Sequence, residues 1–292
     1  MIKSVGTLVL IVGCLRLFAQ GTPTTLSASS GQADRIITAG SAMTETVCAL
    51  GECSKIIASD RTSLYPPEIK SLPSIGYRSG ISSEGIIGLK PTLVIAEKGY
   101  VEDIVLAQIR STGIRIIVVE RAYSFEGTKN LIREIANTLN RKAEGEELIS
   151  RIEGQLAEAA AIVRKSKMTP RVLCVYNRGT TSFDVAGTKT FSDILPYVGA
   201  ESALPGVNGY KPLNTEALIS SNPDYMLFFE TGLKSLGGME GVLNVPGVSQ
   251  TKAGKSKHIL AMDGIKLSNF GPRFGEAVKE LVLLLHPDVK AN

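Results

Sequence analysis

Tyr77 and Arg78 stand side by side in the stretch SIGYRSGISSEG (residues 74–85), between Gly76 and Gly80. A free phenol has a pKa near ~10, so it needs help to become an anion at neutral pH. An adjacent guanidinium lowers the cost of ionisation, and the resulting phenolate is a good ligand for a hard metal ion. The flanking glycines let a flat ligand approach the backbone closely. The pair is therefore a candidate binding site, and the rest of the chain must position it.

Length and composition indicate a globular protein with more than one domain. The chain has 292 residues, of which 43% are hydrophobic and 21% charged, and its net charge is +4. At roughly 100–200 residues per domain, two domains are expected. The positive charges are few and dispersed, which argues against a nucleic-acid partner. His258 and His286 are the only histidines, so a histidine-rich zinc or manganese site is nearly excluded.

The first residues predict export. Lys3 precedes an apolar run of signal-peptide length, so residues 1–20 are interpreted as a signal peptide and the polar residues 21–34 as a linker. Two processing routes stay open. IVGC, ending at Cys14, is typical of a lipoprotein signal that would make Cys14 a lipid anchor, whereas cleavage near Ala19 would release a soluble periplasmic protein.

The cysteines do not form a dense disulfide framework. Beyond Cys14 the chain has Cys48, Cys53 and Cys174, which allow at most one disulfide. Cys48 and Cys53 are close enough in sequence to pair, but we expect two buried thiols.

Short apolar runs alternate with helical patterns on both sides of one long helical stretch. Residues 35–123 and 169–292 each show the strand–helix alternation of a βα lobe with a parallel sheet. Residues 124–168 lack proline and predict one long connecting helix, with Gly145 as a possible break. The strands are predicted in RIITA, KIIAS, PTLVIA and IRIIVVE of the first lobe, and in RVLCVYN, SFDVAG, DYMLFF and HILAMD of the second.

The two lobes contain a repeat. Residues 82–95 align without gaps on residues 214–227, and Glu84 and Glu216 each precede a proline by seven positions. Each copy predicts a short helix with glutamate in its first turn, followed by a buried strand. Glutamate is common at helix starts for structural reasons alone. Its recurrence at equivalent places nevertheless suggests that a partner can bind the two lobes in the same way.

With this order of elements, the chain resembles the substrate-binding proteins of ABC importers for haem, cobalamin and ferric siderophores. GSAMTETVCALG, LPSIGYRSGISSEG, GGMEGVLNVPGV and FGPRFGEAVKEL make it most similar to the periplasmic haem-binding proteins. The resemblance covers residues 35–288. It implies an α/β protein with two Rossmann-like βα lobes joined by one long α-helix, a ligand cleft between the lobes, haem as the transported ligand, and a monomer. It also implies that Glu84 and Glu216 dock on the importer's membrane subunits.

The resemblance assigns the haem iron to Tyr77. Relatives carry a tyrosine in the matching loop whose phenolate binds ferric iron, a hard acid that suits an oxygen anion. Relatives commonly have one residue between this tyrosine and an arginine. Here Arg78 follows Tyr77 directly and Ser79 occupies the usual arginine position, so the role of Arg78 is less certain than that of Tyr77. A loop tyrosine that merely packs against a turn is the structural alternative.

Three further residues are candidates for haem contact. Tyr65, in SLYPP, is the second choice for the iron ligand, although a tyrosine before prolines is usually structural. Tyr210 and Lys211 mirror Tyr77 and Arg78 in the second lobe, where the ring suits stacking on a porphyrin and the ammonium suits a propionate; an ordinary solvated loop is an equal alternative. No histidine lies near the second-lobe segment CVYNRGTTSFD, so a single protein ligand to iron is expected.

Catalysis is not predicted. AGKS (253–256) lacks the upstream glycine of a phosphate loop, and the chain has no GxSxG motif or credible Ser-His-Asp set. A cobalamin or ferric-siderophore carrier is the alternative within the same class. A metal- or haem-dependent enzyme or a structural periplasmic adaptor is the alternative outside it.

Overall fold

The computed structural model describes Met1, residues 35–179 and residues 182–289. Apart from Met1, the predicted signal peptide, the linker and Cys14 lie outside the described residues. Among the helices that are described, none combines the length and the apolar character needed to cross a membrane.

The first lobe is built on a four-stranded parallel sheet, and the four predicted strands are confirmed. In the first three strands the side chains are almost all buried, as expected for a parallel sheet covered on both faces, whereas most side chains of the fourth strand, at the edge of the sheet, are partly or fully exposed. The order across the sheet is second, first, third, fourth. The strands are β1 (Ile36–Ala39), β2 (Ile56–Ser59), β3 (Leu93–Glu97) and β4 (Arg115–Val119), and the helices are α1 (Ser41–Ala49), α2 (Ser83–Gly88) and α3 (Asp103–Ser111).

The connecting segment is two helices, α4 (Phe125–Thr138) and α5 (Lys142–Lys165), so the prediction of one helix over 124–168 is wrong. α4 ends in a Schellman motif: Asn140 has φ 57°, and the Arg141 amide donates to the Ala136 carbonyl at 2.8 Å. Gly145 is not the break. It lies in the first turn of α5, where an added Cβ would stand 2.7 Å from the Cβ of Ala136, so the glycine lets the two helices approach.

The second lobe is built on a mixed sheet. Its order is β10-β9-β5-β6-β8, with β7 beside β5; β10, β9, β5 and β7 are parallel, and β5, β6 and β8 are antiparallel. The strands are β5 (Arg171–Arg178), β6 (Ser182–Ala186), β7 (Glu201–Ser202), β8 (Tyr210–Pro212), β9 (Tyr225–Phe229) and β10 (Ile259–Met262). The helices are α6 (Thr215–Ser221), α7 (Glu230–Ser235), α8 (Gly238–Leu243), α9 (Lys252–Ser256), α10 (Gly264–Asn269) and α11 (Phe274–Leu285).

One hydrophobic core runs through both lobes. It joins Ile36 of β1 and Val172 of β5 with Leu131, Ile152 and Leu281 of α4, α5 and α11. Two smaller clusters lie within the individual lobes. The connecting helices therefore belong to a shared core and do more than link the lobes.

The Cys48–Cys53 pair forms a disulfide, so the expectation of two thiols is wrong. α1 ends at Ala49, and Gly51, with φ 82°, turns the chain so that Cys53 returns beside Cys48. Cys174 is free and buried, and burial raises its pKa.

The predicted repeat is present in the structure. α2 is capped by Ser82, which accepts from the Gly85 amide, and α6 is capped by Asn214 in the same way. The residue before the proline, Lys90 or Asn222, has a positive φ in both copies, and a buried strand follows.

Candidate functional site

A cavity of about 500 Å³ opens between the two lobes. Most of its wall comes from residues at or just beyond the carboxyl ends of parallel strands, where α/β sheets characteristically bind ligands. Glu97 ends β3, Arg121 follows β4, and Phe229 ends β9. The wall consists of six aromatic residues (Tyr77, Tyr100, Tyr123, Tyr176, Tyr210, Phe229), three arginines (Arg78, Arg121, Arg178), two carboxylates (Glu97, Asp184), and Ser41, Thr62, Ile265, Ser268 and Asn269.

The Tyr77–Arg78 pair lies on this wall with its side chains in contact. Arg78 Nε donates to the Tyr77 hydroxyl at 3.1 Å, and 40% of Tyr77 is exposed. A tight turn over Arg78–Gly80 holds the pair, and Arg78 itself has φ 45°. Gly76 has φ 101°, and an added Cβ there would lie 2.9 Å from the Gly80 carbonyl oxygen, so the turn requires glycine at that position.

Tyr100 packs against Tyr77 and helps to hold it in place. The two rings meet edge to face with their centroids 6.0 Å apart, and the Tyr100 hydroxyl donates to Asp60 Oδ2 at 2.6 Å. Burial and the hydrogen bond to Asp60 raise the pKa of Tyr100, so its phenol stays neutral. Asp60 is 2% exposed, and its carboxylate also accepts from the Gly40 amide and the Ser63 hydroxyl.

The second lobe contributes Tyr176, Arg178 and Tyr210. Arg178 Nε donates to the Tyr176 hydroxyl at 2.9 Å. The Tyr176 ring packs between Tyr210 and Phe229, with centroid distances of 5.0 Å and 5.6 Å. Burial raises the pKa of Tyr210, which keeps its phenol neutral.

Each of the three guanidinium nitrogens of Arg121 donates a hydrogen bond. It donates to Glu97 Oε1 at 2.9 Å, to the Ser268 carbonyl at 3.1 Å and to the Tyr123 hydroxyl at 3.1 Å. The bond to Ser268 crosses from one lobe to the other. Arg121 therefore fixes the floor of the cavity more than it offers free donors to a ligand.

The structure brings three of the five predicted ligand-contact residues to the cavity: Tyr77, Arg78 and Tyr210. Lys211 does not line it, because neighbouring strand residues point to opposite faces and Tyr210 occupies the inner one. Tyr65 is also outside the cavity wall. Its ring lies under the Arg273 guanidinium at 3.9 Å.

Glu84 and Glu216 are exposed in the first turns of α2 and α6, the paired helices of the repeat. The histidines lie away from the cavity. His286 is buried, and its ring nitrogens contact Ser166 Oγ and the Val198 carbonyl. His258 stacks on Tyr225.

Sequence reasoning missed Tyr100, Arg121, Tyr123 and Arg178. Tyr176 and Arg178 carried a signal, because residues two apart on a strand share a face. The other three sit in turns after strands of the first lobe, and only the packing of the lobes brings them to one cavity.

Residues 36–265 match the family described as Periplasmic binding protein. The chain belongs to this family. Proteins of this family are substrate-binding transport proteins of ABC importers. The solved structure of the periplasmic heme-binding protein RhuT from Roseiflexus sp. RS-1 in apo form is similar, with a TM-score of 0.83 and 35% identity over 88% of this chain and 99% of that one.

Two curated relatives are also similar, and one of them is named for a ligand other than haem. The uncharacterized ABC transporter substrate-binding lipoprotein YvrC of Bacillus subtilis (strain 168) is 24% identical over 249 residues, which cover 84% of this periplasmic binding protein and 77% of YvrC. The vitamin B12-binding protein of Vibrio campbellii (strain ATCC BAA-1116) is 28% identical over 216 residues, or 73% of this chain and 76% of that protein. The two-lobed α/β fold is thus established, and the ligand is a separate question.

Proposed function

We propose that this periplasmic binding protein captures haem between its lobes and delivers it to the membrane subunits of an ABC importer. The observation that carries the proposal is the Tyr77–Arg78 pair, whose phenol oxygen and guanidinium lie 3.1 Å apart on the wall of the cavity. A phenolate oxygen is a suitable axial ligand for ferric iron, and the guanidinium beside it donates a hydrogen bond to that oxygen.

The cavity suits a flat macrocycle with acidic side groups. Its volume of about 500 Å³ falls in the usual range of small-molecule sites, about 300–1,000 Å³. Aromatic rings from both lobes offer stacking surfaces, and Arg78 and Arg178 offer cationic groups for propionates. Neither histidine lines the cavity, so the proposed iron ligand is a phenol oxygen and not an imidazole.

A cobalamin carrier is the second candidate, and the identity to the Vibrio campbellii protein supports it. A ferric-siderophore carrier belongs to the same class. The two arginines Arg78 and Arg178 favour haem over cobalamin, because haem carries two carboxylates, whereas the amides of the corrin ring are neutral and cobalamin has a single anionic phosphodiester.

An absorbance titration with ferric haem tests the proposal on the wild-type protein, Tyr77→Phe and Tyr65→Phe. Tyr77→Phe should lose the phenolate-type ferric spectrum and weaken binding by at least about 10-fold, since the loss of a mere hydrogen-bond partner of a metal ligand already costs about 10-fold to 100-fold. Tyr65→Phe should behave like the wild type, since its ring lies outside the cavity. A parallel titration with cyanocobalamin covers the second candidate.

Each outcome has a distinct meaning. Haem binding that is unchanged in Tyr77→Phe and lost in Tyr65→Phe would identify Tyr65, and not Tyr77, as the iron ligand. Absence of haem binding together with saturable cobalamin binding would replace the proposed cargo.

The docking proposal concerns Glu84 and Glu216. Both are exposed on equivalent helices of the two lobes, and each can pair with a basic residue of one membrane subunit. Exposed ion pairs contribute only about 0–1 kcal/mol each, so they are expected to set orientation and association rate.

We further propose that the chain works outside the cytoplasm, either free in the periplasm or held to a membrane by a lipid on Cys14. The lipoprotein named among its relatives supports the anchored form. Radioactive palmitate that labels the wild type and not Cys14→Ser would establish the anchor, and equal labelling of both would exclude it.

A further inference from the structure

The surface at the amino ends of the second-lobe strands, opposite the cavity, combines basic and apolar side chains. Helices α5 and α11 reach this surface together. Lys279 of α11 pairs with Glu158 of α5, and two turns further along both helices His286 contacts Ser166 Oγ at 2.8 Å. The two helices therefore run in parallel, and β5 begins six residues after α5 ends.

Apolar side chains are exposed where the two helices end. Leu283 and Leu284 are in the last turn of α11, and Leu283 is 48% exposed. Met168 is also exposed, and its amide donates to Ser166 Oγ at 3.1 Å. Because Ser166 also contacts His286, at the end of α11, the three apolar side chains belong to one surface.

Basic residues accompany these apolar side chains. Arg164 and Lys165 are in the last turn of α5, and Lys167 follows it. None of the three forms an ion pair with a described residue. The Asp288 carboxylate at this end accepts from the Ser166 hydroxyl and the Lys167 amide. The helix dipole favours cations in the last turn of α5, but it does not account for Lys167 beyond it.

A second group of lysines lies beside the first. β5, β9 and β10 are parallel neighbours, so their amino ends share one edge of the sheet, and β5 and β10 are about 10 Å apart across β9. Lys167 precedes β5 by four residues, and Lys255 and Lys257 precede β10 by four and two. All three are exposed and form no ion pair with a described residue, whereas the adjacent Lys252 pairs with Asp224.

We propose that this surface, the distal patch, binds an anionic phospholipid bilayer; it is formed by Lys165, Lys167, Lys255, Lys257, Leu283 and Leu284. Such a bilayer offers an array of negative phosphates with an apolar layer beneath them, and it therefore matches both kinds of side chain. The distal patch is opposite the cavity, so a carrier bound in this way keeps the cavity open to solvent. The inference does not depend on the identity of the cargo.

The charges of α5 limit the contact to this end of the second lobe. Glu147 and Glu153 are exposed on the first half of α5. An anionic bilayer repels these carboxylates, so the protein meets the bilayer with the end of the lobe and not with the length of α5.

Co-sedimentation with vesicles tests the proposal. The parent protein is the full chain with Cys14→Ser, so that no lipid anchor contributes, and every variant carries the same change. The vesicles consist of phosphatidylcholine alone or of phosphatidylcholine with phosphatidylglycerol. The charge variant replaces three lysines of the distal patch, and its control replaces three exposed lysines elsewhere: Lys165→Gln, Lys167→Gln and Lys255→Gln against Lys70→Gln, Lys142→Gln and Lys234→Gln.

The parent protein should bind the vesicles that contain phosphatidylglycerol in preference to pure phosphatidylcholine, and salt should weaken this binding. The charge variant should bind about 100-fold more weakly, since each lysine near an anionic surface contributes about fivefold. Its control should bind nearly as the parent protein does. Leu283→Ser should weaken binding by about threefold or more, whereas Leu64→Ser, at a first-lobe leucine that is 47% exposed, should not.

Equal losses in the charge variant and its control would overturn the proposal, because general charge and not the distal patch would then govern binding. Binding that is independent of phosphatidylglycerol would also overturn it. A parent dimer that Leu283→Ser converts to monomers in analytical ultracentrifugation would make the patch an interface between copies instead. Unfolding midpoints, expected to match because the replaced side chains are exposed, separate a binding effect from misfolding.

Discussion

Tyr100 illustrates how a side chain distant in sequence supports one on the cavity wall. It packs edge-on against Tyr77 and is anchored to the buried carboxylate of Asp60. Thr62 also donates to Asp60 through its amide and its hydroxyl, so the carboxylate is satisfied without a cation. The iron ligand proposed here therefore rests on a polar cluster that is itself fixed.

Removing the Tyr100 hydroxyl should cost stability without emptying the site. Tyr100→Phe deletes one donor to buried Asp60 and keeps the ring, so the free energy of unfolding should fall by about 1–3 kcal/mol. Urea denaturation measures the loss. Tyr65→Phe is the matched control, because the Tyr65 hydroxyl hydrogen-bonds to none of the described residues, and it should change stability by less than about 0.5 kcal/mol. Equal losses in the two variants would contradict this role for Asp60.

The local sequence was enough to predict that Tyr77 and Arg78 lie at the cavity, but it was not enough to predict the residues around them. The pair is adjacent in the chain and flanked by glycines, one of which the turn requires. Tyr100 and Arg121 reach the cavity only because β3 and β4 end at the same edge of the sheet. That convergence depends on tertiary packing, which a loop sequence does not encode by itself.

Among the elements, strands were predictable where the chain is apolar and poorly predictable elsewhere. β8 was expected to be a loop because its residues lie among glycines and prolines, and it forms only through antiparallel pairing with β6. The end of α4 has neither glycine nor proline, and Asn140, a residue that tolerates positive φ, was its single sequence signal. The Cys48–Cys53 bridge depends on how the end of α1 turns back, which spacing alone does not decide.

The repeated helices α2 and α6 carry the docking prediction. Glu84→Arg and Glu216→Arg should each slow association with the importer reconstituted in proteoliposomes, and the double variant should slow it most. The introduced arginines would then face the basic residues proposed on the membrane subunits. Haem affinity should stay unchanged. Glu276→Arg is the control, since Glu276 is an exposed first-turn glutamate of α11, a helix that packs against α5.

A slowing by Glu276→Arg as large as that of the double variant would show that general charge, and not the paired helices, governs docking. Raising the salt concentration should reduce the difference between the wild type and the double variant, because exposed charges are screened.

At the scale of the whole molecule, a buried ion pair joins the lobes. Arg273 donates to both carboxylate oxygens of Glu45 on α1, at 2.8 Å and 2.6 Å. Asn269 donates to the same carboxylate and accepts from the Ser41 hydroxyl. Burial raises the pKa of Glu45, and the hydrogen bonds and charge of Arg273 oppose that rise.

Arg273→Gln should destabilise the protein by about 3–5 kcal/mol at neutral pH, because it leaves the Glu45 charge buried without its partner. The loss should shrink toward pH 4.5, the ordinary pKa of the group, since there the unfolded chain also begins to hold the proton. As pH rises above that value, the unfolded chain releases the Glu45 proton, whereas the buried Glu45 of the folded variant holds it. The free energy of unfolding of the variant therefore falls as pH rises.

Urea denaturation at about pH 4.5 and about pH 7.5 checks this sign. Lys279→Gln, which breaks the exposed pair of Lys279 with Glu158, is the control and should cost about 0–1 kcal/mol at both pH values. A loss in Arg273→Gln that grew toward acid pH would contradict the assignment.

The core that α4, α5 and α11 share with both sheets bears on how a loaded carrier is told from an empty one. Lobes that are built around common packing and held by a buried ion pair have little freedom to swing apart or together. Closure of the lobes can therefore tell the importer little about whether the carrier holds its cargo. The importer must recognise the filled state at the mouth of the cavity, from the edge of the cargo or from side chains that the cargo orders.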